Sequence, residues 1–441
     1  MKRYEEYKKT GLTWLPEIPQ NWKWRFLSQV AQEQTIRKPA GEVYPILTLT
    51  YGEIKRKKNI DSGLVPADYG TYQMLYKGNI VLRLIDLQND HTSLRTGIVK
   101  EIGIITSAYT CIVPTENTTY LHYLLHSYDT QKVFYGYGGG VRQSIGFKDI
   151  RYLQVPVPPR DEQDQIVRFL DWKVSGINKL INIRHKEISE LNESLNTKLR
   201  DVLLSIPNVK EVPLKRICSV PMTDGPHETP TFVDSGIPFV SAEASHDGRI
   251  HLDECRGFIT REQHEVYCQK VRPHKNDIFI VKSGSTTGKT VMVDFDEEFS
   301  IWSPLALVRC NNLAMPRYVF FYCTSVMFQK QVRDNWSFGT QPNIGMGVLE
   351  NLRLPLPEIE EQRAIVDTLD AYWSKVLQVK CNLKKQIEEL QSLKTRIIAD
   401  AVTGKIDVRS IEIPEYEFVD EDNDNVDENL EQGADEPPEE E

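Results

Sequence analysis

Leu153-Gln154-Val155-Pro156-Val157-Pro158 returns later in the chain as Leu352-Arg353-Leu354-Pro355-Leu356-Pro357, an offset of 199 residues. The correspondence runs on without a gap. Glu162-Gln163, Ile166-Val167, Leu170-Asp171, Lys186, Ile188 and Glu190-Leu191 meet Glu361-Gln362, Ile365-Val366, Leu369-Asp370, Lys385, Ile387 and Glu389-Leu390. Between 153–199 and 352–398, 14 of 47 positions are identical, which marks an internal duplication. Both copies then read as helix. Apolar residues recur at three- and four-residue steps through Ile166, Leu170, Val174, Ile177, Ile181, Ile188, Leu191, Leu195 and Val202. The second copy gives Ile365, Leu369, Trp373, Val376, Leu383, Ile387, Leu390, Ile397 and Ala401, and no proline interrupts either run. So narrow a stripe predicts helix-on-helix packing of coiled-coil type, in rods of roughly 60–70 Å at about 1.5 Å per residue. Two such rods in one chain bury their stripes most simply against each other.

Outward from the helices, the chain divides into a first body (1–158), a central spacer helix (159–205), a second body (206–357), a C-terminal spacer helix (358–405) and a tail (406–441). The bodies have diverged further than the helices, but their skeleton persists. Asn79-Ile80-Val81-Leu82 answers Asp277-Ile278-Phe279-Ile280, and the stretch from Ser107 to Val113 answers that from Ser303 to Val308. Short Val, Ile, Phe and Tyr runs broken by Gly, Asn and Asp predict mixed α/β bodies dominated by strands. Short helices are expected around Tyr120–Tyr135 and Arg317–Val332. The fold class is α+β: two mixed α/β bodies joined by two long antiparallel helices, with a pseudo-two-fold duplication.

Composition excludes several classes. No apolar run approaches the roughly 18–20 residues of a membrane span, and the opening Met1-Lys2-Arg3-Tyr4-Glu5-Glu6 has no apolar core for a signal peptide. Seven scattered cysteines without a Cys-x-x-Cys pair encode neither a disulfide framework nor a zinc site, and favour a reducing cytoplasm. The net charge of −10 is unevenly spread. Residues 406–441 hold 16 acidic residues and one basic residue, Arg409, so the body carries 52 basic against 47 acidic residues. The tail is expected to be a disordered, solubilising segment, the other reading being a nucleic-acid mimic that discourages unspecific binding.

A pseudo-two-fold protein suits a ligand with two similar sites, and double-stranded DNA is the commonest such ligand. Antiparallel rods would hold the bodies apart as a ruler. Lys55-Arg56-Lys57-Lys58 is a basic cluster in an expected hairpin or loop, suited to phosphates. Asp224-Gly225-Pro226-His227-Glu228-Thr229-Pro230 is a rigid polar loop from which His227 and Thr229 are candidates for base edges. Gly140-Val141-Arg142-Gln143-Ser144-Ile145 answers Gly339-Thr340-Gln341-Pro342-Asn343-Ile344 at the same offset of 199. Arg142, Gln143, Ser144, Thr340, Gln341 and Asn343 are the side-chain types that read purines in the major groove.

Three enzyme motifs fail on context. Ser283-Gly284-Ser285-Thr286-Thr287-Gly288-Lys289-Thr290 resembles a phosphate-binding P-loop, but its first position is Ser. Val291-Met292-Val293-Asp294-Phe295 after it reads as strand where a helix N-terminus is required. A β-hairpin presenting Lys282, Ser283, Thr286 and Lys289 to a phosphate backbone is the better reading. Phe134-Tyr135-Gly136-Tyr137-Gly138 fits a methyltransferase pattern, but no Asn-Pro-Pro-aromatic motif accompanies it to grip a flipped adenine. Glu53-Ile54-Lys55 has a nuclease form, yet the first aspartate is Asp61, so the upstream metal ligand is missing. Neither a catalytic constellation nor a metal-binding set is expected from the nine histidines.

These features together resemble the specificity subunits of type I restriction–modification systems, over nearly the whole chain. Tyr7-Lys8-Lys9-Thr10-Gly11-Leu12-Thr13-Trp14, running on to Pro19 and Trp22, is similar to that family's approach to its first target-recognition domain. The Asp224–Pro230 loop, followed by Gly236-Ile237-Pro238-Phe239-Val240-Ser241-Ala242, looks like the opening of a second. Ala401-Val402-Thr403-Gly404-Lys405 closes the second helix as in these proteins. The resemblance implies a non-catalytic DNA-binding subunit that reads a bipartite target through two target-recognition domains. It implies double-stranded DNA, two adenine-N6 methyltransferase subunits and motor–nuclease subunits as partners, with S-adenosylmethionine, ATP and magnesium belonging to those partners. It says nothing of the acidic tail, and the first body lacks the Gly-Pro-His-x-Thr-Pro loop. A free-standing or decoy coiled-coil interaction protein, or remotely a degenerate P-loop enzyme, are the alternatives.

Overall fold

The computed structural model describes residues 2–50, 52–57, 69–85, 87, 94–137, 145–205, 209–338 and 341–421. Among the described residues the helices of nine or more residues are α1 (Thr118–Thr130), α2 (Arg160–Leu204), α3 (Pro316–Thr324), α4 (Val326–Asn335) and α5 (Ile359–Val402). None among the described residues is long and apolar enough to cross a membrane. The single helix expected around 317–332 is two, because Ser325 leaves helical geometry (ψ 152°) and caps α4 with its own hydroxyl.

The chain forms two compact units, residues 1–185 with 385–441, and residues 186–384. Each unit's core takes in part of both long helices. In the first, Ile166, Phe169, Leu170 and Val174 of α2 join Ile398, Ala401 and Val402 of α5 around Trp22, Leu124 and Tyr128. In the second, Leu195, Leu199 and Leu203 of α2 join Ile365, Leu369, Trp373 and Val376 of α5 around Phe320 and Phe321. The helical stripe is therefore the means by which each α/β layer is closed.

The first unit contains β1 (Lys23–Phe26), β2 (Ala31–Gln34), β3 (Leu47–Thr50), β4 (Glu53–Arg56), β5 (Ile80–Leu82), β6 (Thr96–Ile98), β7 (Thr110–Pro114) and β8 (Gln154–Val157). Its main sheet is antiparallel in the order β2-β7-β5-β6. The second unit contains β9 (Glu211–Pro213), β10 (Thr223–Asp224), β11 (Ile278–Val281), β12 (Thr290–Met292), β13 (Leu305–Val308) and β14 (Arg353–Pro355). Its sheet runs β10-β13-β11-β12, the same order and again antiparallel. Registers agree as well: Ile80 faces Ile112 and Ile98, while Ile278 faces Val308 and Met292. The turn before β5 and β11 is also built alike. Gly78 and Asn276 take positive φ, and the next residue's side chain accepts an N–H three residues back, Tyr76 N to Asn79 Oδ1 and His274 N to Asp277 Oδ2, both at 2.7 Å.

The repeated Pro-x-Pro and Glu-Gln residues form the joint between sheet and long helix. β1 pairs antiparallel with β8, and β9 with β14, so each unit is clasped where it begins and ends. Gln163 and Gln362 are buried, and each amide donates to a proline carbonyl, Pro158 at 3.0 Å and Pro357 at 2.8 Å. Each side-chain oxygen accepts a backbone N–H ahead of the neighbouring helix, Asn117 at 3.1 Å and Met315 at 2.8 Å. Tyr120 and Tyr318 add hydroxyl bonds to the carbonyls of Pro156 and Pro355. The repeat's identity is thus explained by satisfaction of buried polar groups.

The tail requires correction. Residues 406–421, expected to be disordered, lie as a strap on the first unit. Val408 is fully buried, and Ile406, Ile411 and Ile413 pack on the core. Gln165 donates to the carbonyls of Val408 and Ile411, Ser175 to Glu417, Asn178 to Val419 and Asn182 to Asp420. The opening and closing motifs meet beside it. Tyr7 donates to the Gly404 carbonyl, and a Cβ on Gly404 (φ +73°) would fall 2.4 Å from Pro19 Cδ. Trp22 is fully buried, with its indole N–H on Glu162 Oε1 at 2.9 Å.

Candidate nucleic-acid interface

In the second unit four loop segments converge at one end of the sheet. Ser303 N donates to Pro226 O, Lys282 N to Pro304 O, Gly284 N to Pro342 O and Ile344 N to Lys282 O, at 2.7–3.1 Å. The 224–230 loop, the 282–289 hairpin and the 341–344 segment therefore form one surface. Gly225 anchors it, because a Cβ there would lie 2.1 Å from the Ile301 carbonyl oxygen. Gly284 and Gly288 supply positive φ (+98° and +95°) at the hairpin tip, and Gln329 holds the Gly288 carbonyl at 2.7 Å. The hairpin joins β11 to β12, with no helix following, so the P-loop resemblance has no phosphate-binding helix N-terminus behind it.

Charge on this surface is organised by Asp224, a buried carboxylate. It receives Lys270 Nζ at 2.6 Å and Lys282 Nζ at 2.7 Å, with His227 Nε2 at 3.3 Å. Burial alone would raise its pKa, but the two lysines outweigh burial and hold it below the ordinary carboxylate value. Lys282 is only 14 % exposed, so its ammonium is committed to Asp224, whereas Lys270 remains half-exposed. Thr229, Gln341 and Asn343 are exposed, as is His227, while Ser283, Thr286 and Lys289 are half-buried in the hairpin. Exposed amides, a hydroxyl and an imidazole beside a partly compensated lysine pair offer the donors and acceptors that base edges and phosphates take. Thr340 lies outside the described residues.

The first unit repeats the scaffold with different chemistry. Arg83 N bonds Arg95 O and Val281 N bonds Lys289 O, so Arg95 occupies the position of Lys289. Arg95 is completely buried, donating to the carbonyls of Arg83 and Ile85, and contributes to the scaffold. Lys55 and Arg56 lie on β4 of the β3–β4 hairpin, with Lys57 directly after it. Lys55 pairs with Glu53 at 3.0 Å, and Arg56 grips both oxygens of Glu101, which holds that carboxyl below its usual value. The cluster is thus partly neutralised within the chain. Lys58, Arg142, Gln143 and Ser144 lie outside the described residues.

Sequence reasoning took Asp224 only as the start of its loop and passed over Lys270, although the two fix the loop's charge; the pairing of a carboxylate with an amine 46 residues away leaves no local signal. It also found no histidine pair, yet His246 and His251 stack at 3.9 Å beside Glu254. Their rings are within 11° of parallel, so their in-plane lone pairs do not converge on one ion.

The family model described as "Type I restriction modification DNA specificity domain" matches residues 52–192 and 208–389. The chain is 25% identical over 276 residues to the type I restriction enzyme MjaVIII specificity subunit of Methanocaldococcus jannaschii, covering 59% of this chain and 63% of that protein. It is also 25% identical over 309 residues to the putative MjaX specificity subunit of the same organism, covering 66% and 68%. The match thus spans less than two thirds of the MjaVIII subunit's length. A solved chain described under "Structural basis underlying complex assembly and conformational transition of the type I R-M system" shares the fold at a TM-score of 0.57 and 18% identity, over 88% of this chain and 99% of that one. With both halves of the duplication matched, the chain belongs to the family of type I restriction–modification DNA specificity subunits.

Proposed function

We propose that this chain reads a split double-stranded DNA target, one half with each unit, and directs partner subunits to it. The observation that carries the reading is the antiparallel sheet built twice in the same order, which in the second unit presents exposed Gln341, Asn343, His227 and Thr229. Two unlike surfaces on like scaffolds suit two unlike half-sites. The long helices act as the spacer. Within the first unit Asn178 of α2 bonds Lys394 of α5 at 3.0 Å, and within the second Ser194 bonds Tyr372 at 2.6 Å, so each unit ties the two long helices together.

In this reading the chain contributes recognition and no bond-making chemistry. Adenine-N6 methyltransferase subunits and motor–nuclease subunits supply catalysis, with S-adenosylmethionine, ATP and magnesium bound by them. The P-loop-like hairpin and the Phe134–Gly138 stretch carry no step. A single-molecule map of adenine-N6 methylation, with and without the gene, tests this. A split motif that vanishes on deletion supports it. An unchanged map with the methyltransferase expressed contradicts it and favours the decoy reading.

A further inference from the structure

The 224–230 loop of the second unit is held by one short helix, Arg261–Cys268, and the residues just after it. At the start of the loop, Lys270 Nζ bonds Asp224 at 2.6 Å and the Gly225 carbonyl at 3.1 Å. Further along, the Tyr267 hydroxyl donates to Glu228 Oε1 at 3.2 Å. Gln263 of the same helix donates to that hydroxyl oxygen at 2.9 Å, which leaves the hydroxyl proton for Glu228. The Tyr267 ring is buried with Phe239 and Ile259, the Phe239 ring centroid lying 5.9 Å away, so packing fixes where the hydroxyl stands. The two carboxylates of the loop are therefore in opposite settings. Asp224 is buried, with Lys270 on one oxygen and Lys282 on the other. Glu228 is exposed between exposed His227 and Thr229, and among the described residues no lysine or arginine pairs with it. Its Oε2 is left for a donor from outside.

A carboxylate without a cation on a DNA-facing loop repels phosphates, so it weakens binding wherever no donor meets it. The amino groups of bases in the major groove are such donors. Cytosine presents N4 there as its one hydrogen-bonding group, whereas adenine sets the N7 acceptor beside N6, where it would oppose the carboxylate. We propose that Glu228, held by Tyr267, is a specificity-determining residue that reads a cytosine N4 amino group in the half-site of the second unit. This rests on the proposed DNA-reading role of that unit. Glu228 then acts in two directions. It gains a charge-assisted bond at the right base and penalises every duplex that lacks one. Tyr267 is a positioning residue, acting through Glu228 without touching DNA.

The test uses the assembled complex with its methyltransferase subunits, carrying the parent chain, Glu228→Ala or Tyr267→Phe. Selection from a library of randomised duplexes reads base preference position by position. Binding of an unselected random duplex at low salt reads the repulsion. We expect Glu228→Ala to lose a cytosine preference at one position, to weaken binding of the parent's selected duplex about tenfold, and to tighten random-duplex binding about twofold. Tyr267→Phe keeps the charge, so it should blunt the same preference and leave random-duplex binding unchanged. A Glu228→Ala profile that relaxes nowhere, or relaxes at a base other than cytosine, overturns the proposal. So does random-duplex binding that falls together with binding of the selected duplex. In each of these cases the parent's own selected motif leaves the DNA-reading role intact. A parent complex that selects no sequence at all removes that role, and the proposal with it.

Discussion

At the scale of single residues, the duplication is preserved where a buried polar group must be satisfied. Gln362 is the clearest case, fully buried, with an accepted N–H from Met315 and amide bonds to Leu313 and Pro357. Gln362→Ala is expected to destabilise the second unit by about 2–4 kcal/mol in denaturant unfolding, because those groups lose their partner in a dry site. Its exposed neighbour gives the control: Arg363→Ala is expected to change stability by no more than about 0.5 kcal/mol. Equal effects would refute the assignment. A pH test lies at Asp247, in a positive-φ turn and paired with Lys384 at 2.7 Å and Lys380 at 3.5 Å. Burial alone would raise its pKa, but the lysines bring it from 3.8 to about 2. A lowered carboxylate pKa stabilises the fold above the unfolded value and loses that contribution as pH falls through the folded one. Asp247→Asn, which keeps a residue tolerant of the turn, should therefore cost about 1–2 kcal/mol at neutral pH. The gap from wild type should close between pH 3.8 and about 2. A gap that stays constant with pH would contradict the ion-pair account. None of these partners was legible in sequence, where the repeated Gln signalled that it mattered without saying to what it bonds.

At the scale of elements, the sequence was most informative where a pattern is long. The apolar stripes of α2 and α5 extend over some ten turns, so their periodicity stands out against local noise. Strands of two to five residues carry no such signal, and the shared order of the two sheets emerged only from their pairing. The strap was misread for another reason. Its charge masked Ile406, Val408, Ile411 and Ile413, which are too widely spaced for a helix and too irregular for a strand, yet sufficient to dock a segment on an existing core. The interface loops belong to this scale too. With the hairpin held by Gln329 and Thr287, and Gln341 and Asn343 exposed beside it, the double variant Gln341→Ala/Asn343→Ala is expected to leave folding intact. It should weaken binding of the assembled complex to its own target by about 1–3 kcal/mol, with little change on a scrambled duplex. Equal loss on both duplexes would mean that these side chains contact phosphates and do not read bases.

At the scale of the whole molecule, the duplication gives two units in which α2 and α5 exchange roles, each unit taking the first part of one helix and the last part of the other. The clasping strand pairs, the Gln joints and the helical stripes are common to both units. The proposal that each unit reads its own half-site is the centre of the account. It is tested most directly by replacing residues 209–351 with the corresponding segment of another family member, leaving both long helices untouched, and mapping adenine-N6 methylation in cells carrying the parent and the exchanged chain. The account predicts that one half of the split motif changes while the other half and the spacing between them persist. A motif in which both halves change together, or in which neither does while methylation continues, would contradict it.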